Sequence, residues 1–340
     1  MLLRRSAYKP PPRVYNSLKF VSPDCKDFRG LVRSRAPLNL ARSRVDMARL
    51  KTIEISSLNI VTQPHSPDRY IDLLNAAYRN GLVGKVRGDQ KAMIGSLREV
   101  EDIQGTRALT GYIFLYTDID FNSDWLNTQK NDSADEEDLE ELNIPEHLKP
   151  GLKKVRFLFI AKTHRLYFIT KDESGERVGP SIIGRAIHSI LNHDIFKKMK
   201  EDFGTVEVTV TPTKEALSKV LGIPDISKIH ISVIRPNPDD DDGAEARFLA
   251  RMEHENVGRT DIILSRQRGE PGIKPSEETQ VIAELASENG FVKAYGYNAQ
   301  GKRVEEATIN HPFRRPLWLS ETTRSPISTM IEYVKGTLRR

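Results

Sequence analysis

A chain of 340 residues, 38% hydrophobic and 29% charged, holds enough apolar material for a packed core, which excludes wholesale disorder. Its single cysteine, Cys25, excludes an intrachain disulfide framework and a cysteine-built zinc site, and fits a reducing compartment, so a cytoplasmic location is expected. The net charge of +5 is concentrated in residues 1–46, where eleven Lys/Arg stand against three Asp; that surplus of +8 leaves −3 for residues 47–340 and excludes a domain-wide positive field for nucleic acid.

Residues 1–46 are rich in Arg, Pro and Ser and show no sustained apolar periodicity, so they read as a flexible basic arm. Three accounts of it stay open: a nucleic-acid-binding arm, an Arg-rich presequence, or sequence upstream of a true start at Met47. The third is preferred because strand periodicity begins directly after Met47. Apolar runs such as Phe157 to Ala161 fall far short of the roughly 20 residues that span a bilayer, and no membrane partner is expected.

Residues 51–61 predict a strand in which Ile53 and Ile55 share one face and Leu58 and Ile60 follow out of phase, with a bulge near Ser56-Ser57. A helix should follow, capped by Ser66, with Pro67 in its first turn, an apolar stripe through Tyr70, Leu73, Leu74, Ala77 and Tyr78, and Gly81 as its stop. Two strands are expected within 92–118. The run of Asn, Asp and Glu from 128 to 142 reads as a solvated linker, so the domains are drawn as 47–127, an acidic linker 128–150, and 151–340.

Beyond it the pattern is regular. A buried hairpin is expected over 155–170, a long helix over 181–199, a strand over 206–210, and a short helix over 216–221. Next come a strand over 228–234, a helix over 245–254, a strand over 260–264 and a helix over 277–287. A hairpin over 291–307 and a terminal helix over 326–338 close the chain. This alternation predicts an α+β or mixed α/β protein: a mixed, partly parallel sheet with helices packed on its faces.

No dinucleotide, P-loop, nucleophile-elbow or zincin motif occurs, and the reading leans away from an enzyme, with no cofactor expected. His188 and His193, five residues apart, lack a carboxylate at helical spacing and read as packing or capping histidines. Asp239, Asp240, Asp241 and Asp242 follow a predicted strand, where a hydrolytic Mg²⁺ site could sit; the same run also makes a solvated turn capping the next helix, which is the preferred reading. Arg247 and Arg251 stand at i and i+4 and can approach a phosphate from one helix face. Phe313, Arg314, Arg315 and Trp318 mix rings with cations in a manner that suits stacking on unpaired bases, although a loop plugging the core with Phe and Trp fits equally.

Ile53-Glu54-Ile55, Thr110-Gly111-Tyr112-Ile113, Asp124-Trp125 and Ile160 to Arg165 together resemble an uncharacterised bacterial domain-of-unknown-function family, over residues 47 to about 335. The resemblance implies a bacterial cytosolic protein and a link to mobile elements or phage defence, and carries over no functional residue. Three functions stay in view: a nucleic-acid-associated accessory or sensor protein whose partner is a single strand; a metal-dependent nuclease or phosphoesterase on Asp239–Asp242 with Mg²⁺; and a non-catalytic module, immunity- or antitoxin-like, with a protein partner. The first is favoured, because loop 311–318 and the arginine pair need no missing motif.

Overall fold

The structure, a computed structural model, describes residues 51–62, 66–120, 123–140, 144–198, 203–235, 244–319 and 325–338. The basic arm, Met47 and Asp239–Asp242 lie outside the described residues.

The larger sheet is built from β1 (Thr52–Thr62), β2 (Val83–Arg87), β3 (Gln90–Ile103), β4 (Thr106–Thr117), β7 (Lys153–Ile160), β8 (Arg165–Lys171), β9 (Val206–Val210) and β14 (Arg315–Trp318). Its order is β14-β1-β8-β7-β4-β3-β2, with β9 also pairing with β1. The two apolar pairs read in the sequence of β1 serve its two different faces. The bulge expected near Ser56-Ser57 is absent, since the register against β8 runs unbroken from Ile55 to Asn59; the irregularity lies between Glu54 and Ile55, where the extra residue, Thr170, is on β8. Plain alternation along β1 puts Ile53 and Ile55 in one core and Leu58 and Ile60 in the other.

Helices α1 (Pro67–Arg79) and α3 (Pro180–Leu191) cover one face of this sheet, burying Ile71, Leu74, Ile183 and Ile187 against Leu58, Phe157 and Phe168. Ser66 caps α1 by accepting from the Arg69 amide at 3.3 Å, and Gly81 follows it at φ +58°, a left-handed conformation that glycine adopts without strain. The C-terminal α7 (Pro326–Leu338) packs on part of the other face, against Ile53, Leu158 and Ile160.

The acidic segment holds the two-residue strands β5 (Leu126–Asn127) and β6 (Asp132–Ser133) and the short α2 (Glu136–Glu140), tied by Lys130 to Asp135 at 2.7 Å and to Asp138 at 3.1 Å. The strands flanking it, β4 and β7, pair directly, so the large sheet runs across the boundary drawn at 128–150.

The smaller sheet, in the order β11-β10-β12-β13, comprises β10 (Asp225–Ile234), β11 (Arg259–Ser265), β12 (Gly290–Tyr297) and β13 (Arg303–Ala307). Helices α4 (Ala216–Leu221), α5 (Ala244–His254) and α6 (Glu277–Glu288) cover one of its faces, enclosing Ile229, Ile231, Val233, Val292 and Ala294. The two sheets meet where Asn59 Nδ2 donates to Asn289 Oδ1 at 2.9 Å and Arg165 pairs with Glu288 at 2.8 Å.

The α+β class with helices on sheet faces is as the sequence predicts, but the parallel component is a correction. Every strand pairing among the described residues is antiparallel. Helix α5 does not carry the chain from one end of the sheet to the other. The Arg235 amide donates to the Gly258 carbonyl at 2.9 Å, so the chain re-enters the sheet at the end it left.

Candidate functional site

The expected site residues lie on two separate elements. Arg247 and Arg251 are exposed on α5, which packs on the covered face of the smaller sheet. Arg251 is committed locally, 3.6 Å from Glu255 and 5.7 Å from the Phe248 ring centre. Phe313, Arg314, Arg315 and Trp318 belong to the edge of the larger sheet, and the expected loop becomes the edge strand β14, with Arg315 opposite Ile55 and Trp318 opposite Thr52. Phe313 is half-buried, Trp318 is 66% exposed, and Arg314 lies 3.6 Å from Glu54, which takes up part of its charge.

Two hollows lie in the larger sheet's region, and part of the charge lining each is paired. One, of about 280 Å³, is lined by Tyr112, Arg156, Glu173 and Glu176, with Arg156 paired to Glu173 and Lys153 to Glu176. The other, about 710 Å³ and open, surrounds Asp118 between Lys91 and Lys149.

The smaller sheet is different, because among the described residues no helix of its own layer covers its second face. Side chains alternate across a strand, so register identifies the members of that face. They are Lys228, His230 and Ser232 on β10; Arg259, Asp261 and Ile263 on β11; Phe291, Lys293, Tyr295 and Tyr297 on β12; and Arg303 and Glu305 on β13. Burial agrees: Arg259, Asp261, Ile263 and Ser265 are all exposed, while Val292, Ala294 and Gly296 between the β12 residues are buried. Four permanent cations therefore face two carboxylates on a surface roughly 14 Å across its four strands.

Rings and cations are interleaved on this face. The ammonium groups of Lys293 and Lys228 stand 4.9 and 6.0 Å from the Tyr295 ring centre, and the Arg259 guanidinium 5.9 Å from that of Phe291. His230 meets Phe291 edge-on, with ring centres 5.0 Å apart. Hydrogen bonding with Glu305, and then with Tyr295, holds Lys293 above the usual lysine pKa, so it stays charged at neutral pH.

A polar network frames Phe291. Arg259 Nε donates to Ser232 Oγ at 2.9 Å, and His230 Nε2 lies 2.9 Å from Asp261 Oδ1. Partial burial works against ionisation of Asp261, but hydrogen bonds from His230 and Ser232, with the Arg259 charge, outweigh it and hold the carboxyl below its ordinary value. Gly290, at φ +146°, opens β12 where a β-carbon would overlap the Ser232 carbonyl oxygen, so glycine lets the two central strands close beside Phe291.

Sequence reasoning located both central strands but read only their apolar sides. The signal was present in the alternation of Phe291, Lys293, Tyr295 and Tyr297 with Val292, Ala294 and Gly296. His188 and His193 turn out to serve local turns: His188 Nδ1 lies 3.3 Å from Asn192 Nδ2, and His193 Nδ1 accepts from the Ile195 amide at 3.3 Å. Among the described residues no group of His, Cys, Asp and Glu is arranged to hold a metal ion, and no helix is long and apolar enough to cross a membrane.

The described residues thus form an α+β fold with two main antiparallel sheets, the smaller of them presenting a basic and aromatic face. The chain belongs to the family described as Domain of unknown function (DUF4747), whose model matches residues 51–335 and so takes in both sheets. No curated protein matches the chain.

Proposed function

We propose that this protein binds single-stranded nucleic acid, as an accessory or sensor component, on the open face of the smaller sheet. The observation that carries the reading is the interleaving of Phe291, Tyr295 and Tyr297 with Lys228, Lys293 and Arg259 on one surface, where Phe291, Lys293 and Tyr295 are half-buried and the others exposed. Unpaired bases stack on aromatic rings while nearby cations neutralise the backbone, and central-strand aromatics of a four-stranded sheet serve this purpose in RNA-recognition modules. That comparison is one of arrangement and not of descent. When a base takes the face of Tyr295, the flexible Lys228 and Lys293 can swing from the ring to the adjoining phosphates. A duplex hides its base faces and leaves only phosphates to hold, which a body of net charge −3 does weakly.

The test is fluorescence anisotropy of labelled single-stranded RNA, single-stranded DNA and duplex, at two salt concentrations. It compares the full chain with variants of the full chain, so that the basic arm contributes equally throughout. Phe291→Ala and Tyr295→Ala are each expected to weaken single-strand binding by roughly five- to a hundredfold, the range for losing one stacked base. Lys228→Ala/Lys293→Ala should also flatten the salt dependence, by about 0.7 of a unit of log–log slope per lost phosphate contact. Unchanged affinity in the ring variants would remove this face from the account. Loss of binding in Arg314→Ala/Arg315→Ala alone would move the site to β14.

A further inference from the structure

The two ends of the open face are chemically unequal. Around Tyr295 and Tyr297 stand Lys228, Lys293 and Arg303, donors on long stems, with Lys293 2.6 Å from Glu305. Around Phe291 stand an ionised carboxylate and a guanidinium two residues apart on β11, both well exposed. Both are held in place: Asp261 by His230, Arg259 through its Nε by Ser232, and the two by each other, with Arg259 Nε 3.3 Å from Asp261 Oδ2. Each Asp261 oxygen keeps a lone pair free of these contacts, and both Arg259 Nη groups remain available.

Resting on the single-strand reading above, we propose that the Phe291 end is a base-reading subsite selective for guanine. A base stacked on Phe291 would place its edge against this fixed acceptor and fixed donor. Guanine alone among the four bases presents two neighbouring donors, N1–H and the 2-amino group, beside two acceptors, O6 and N7. The donors match the two oxygens of Asp261 and the acceptors match the guanidinium of Arg259. Adenine offers no donor at N1 and turns its 6-amino group toward Arg259, setting donor against donor. Uracil supplies one donor in place of two, and cytosine has none on its ring nitrogen. His230 and Ser232 act as positioning residues, since they touch the reading groups and not the base.

The experiment uses the full chain with labelled eight-residue uridine-rich RNAs that differ at one central position: guanosine, inosine, adenosine or uridine. Guanosine is expected to bind about tenfold more tightly than adenosine, the scale of one good bidentate contact. Inosine, which keeps N1–H and O6 but lacks the 2-amino group, should fall between them. Asp261→Asn, nearly isosteric, should abolish the preference, so that the guanosine, inosine, adenosine and uridine strands bind the variant alike. Equal affinity for all four strands, or a guanosine preference that survives Asp261→Asn, overturns the subsite and leaves the stacking platform standing. Absence of binding to any strand overturns both.

Discussion

Asp118 shows how a single carboxylate at the surface records its neighbours. Its Oδ1 lies 2.6 Å from Lys149 Nζ, and Oδ2 meets Lys91. The hydrogen bond with Lys149, then that with Lys91, holds it below the usual carboxylate value. A group whose folded pKa is depressed stabilises the fold above its unfolded pKa, and that contribution disappears as pH falls through the folded value. Thermal stability should therefore decline as pH drops below about 4, where free Asp protonates. Asp118→Asn should lower stability near neutral pH and converge on the parent at low pH, giving a shallower acid limb, which differential scanning calorimetry across pH 2 to 8 would show. Only part of this scale was legible in sequence. Nothing in the spacing of 91, 118 and 149 joins them, because strand pairing brings them together. The cation-rich strand around Phe291 was legible, since alternation alone separates its two faces.

At the scale of elements, the helices followed their local chemistry most closely. Ser276 caps α6 by accepting from the Thr279 amide at 3.3 Å, and the acidic Glu277 and Glu278 sit in its first turn, where the helix dipole favours them. Because α6 packs behind β10 and β12, its cap supports the proposed binding face from the rear. Ser276→Ala should cost about 1 kcal/mol and lower the melting temperature by about 2 °C, with single-strand affinity retained. A chemical-denaturation curve and a thermal melt would check this.

Where elements departed from expectation, side chains made contacts that local pattern does not encode. The helix predicted over 181–199 stops at Leu191 because the Asn192 side chain donates to the Val206 carbonyl and accepts from its amide, docking the chain end against β9. A separate 3₁₀ turn, Asp194–Lys198, takes up the remainder. Loop 311–318 becomes a strand because the edge of β1 leaves backbone groups unpaired: Leu319 donates to the Lys51 carbonyl at 2.9 Å and Leu317 stands opposite Ile53.

The whole molecule is a fold of mildly acidic charge with a basic segment ahead of it. The family match begins at residue 51, and β1 begins at Thr52. A chain starting at Met47 should keep its melting temperature within a few degrees of the full chain, as a change of under about 1 kcal/mol requires. It should also bind polyanions such as heparin less tightly, since the surplus of +8 leaves with the arm. A loss of ten degrees or more on removing the arm would assign it a structural role.

What the sequence determined by itself is local: which stretches form helices and strands, where caps and turns stop them, and which side of each strand is apolar. These follow from periods of 3.6 and 2 and from the side-chain chemistry of the termini, which need only a dozen neighbouring residues. The tertiary structure alone decided strand direction, strand order and the face left uncovered. Pairing of β1 with β8 joins residues more than a hundred positions apart, and nothing within either strand names its partner. The face of Phe291 and Tyr295 stays open for the same kind of reason. The apolar alternates Val292 and Ala294 drew α4, α5 and α6 to one side of the sheet, and the rings and cations opposite offered no comparable apolar area to hold a helix.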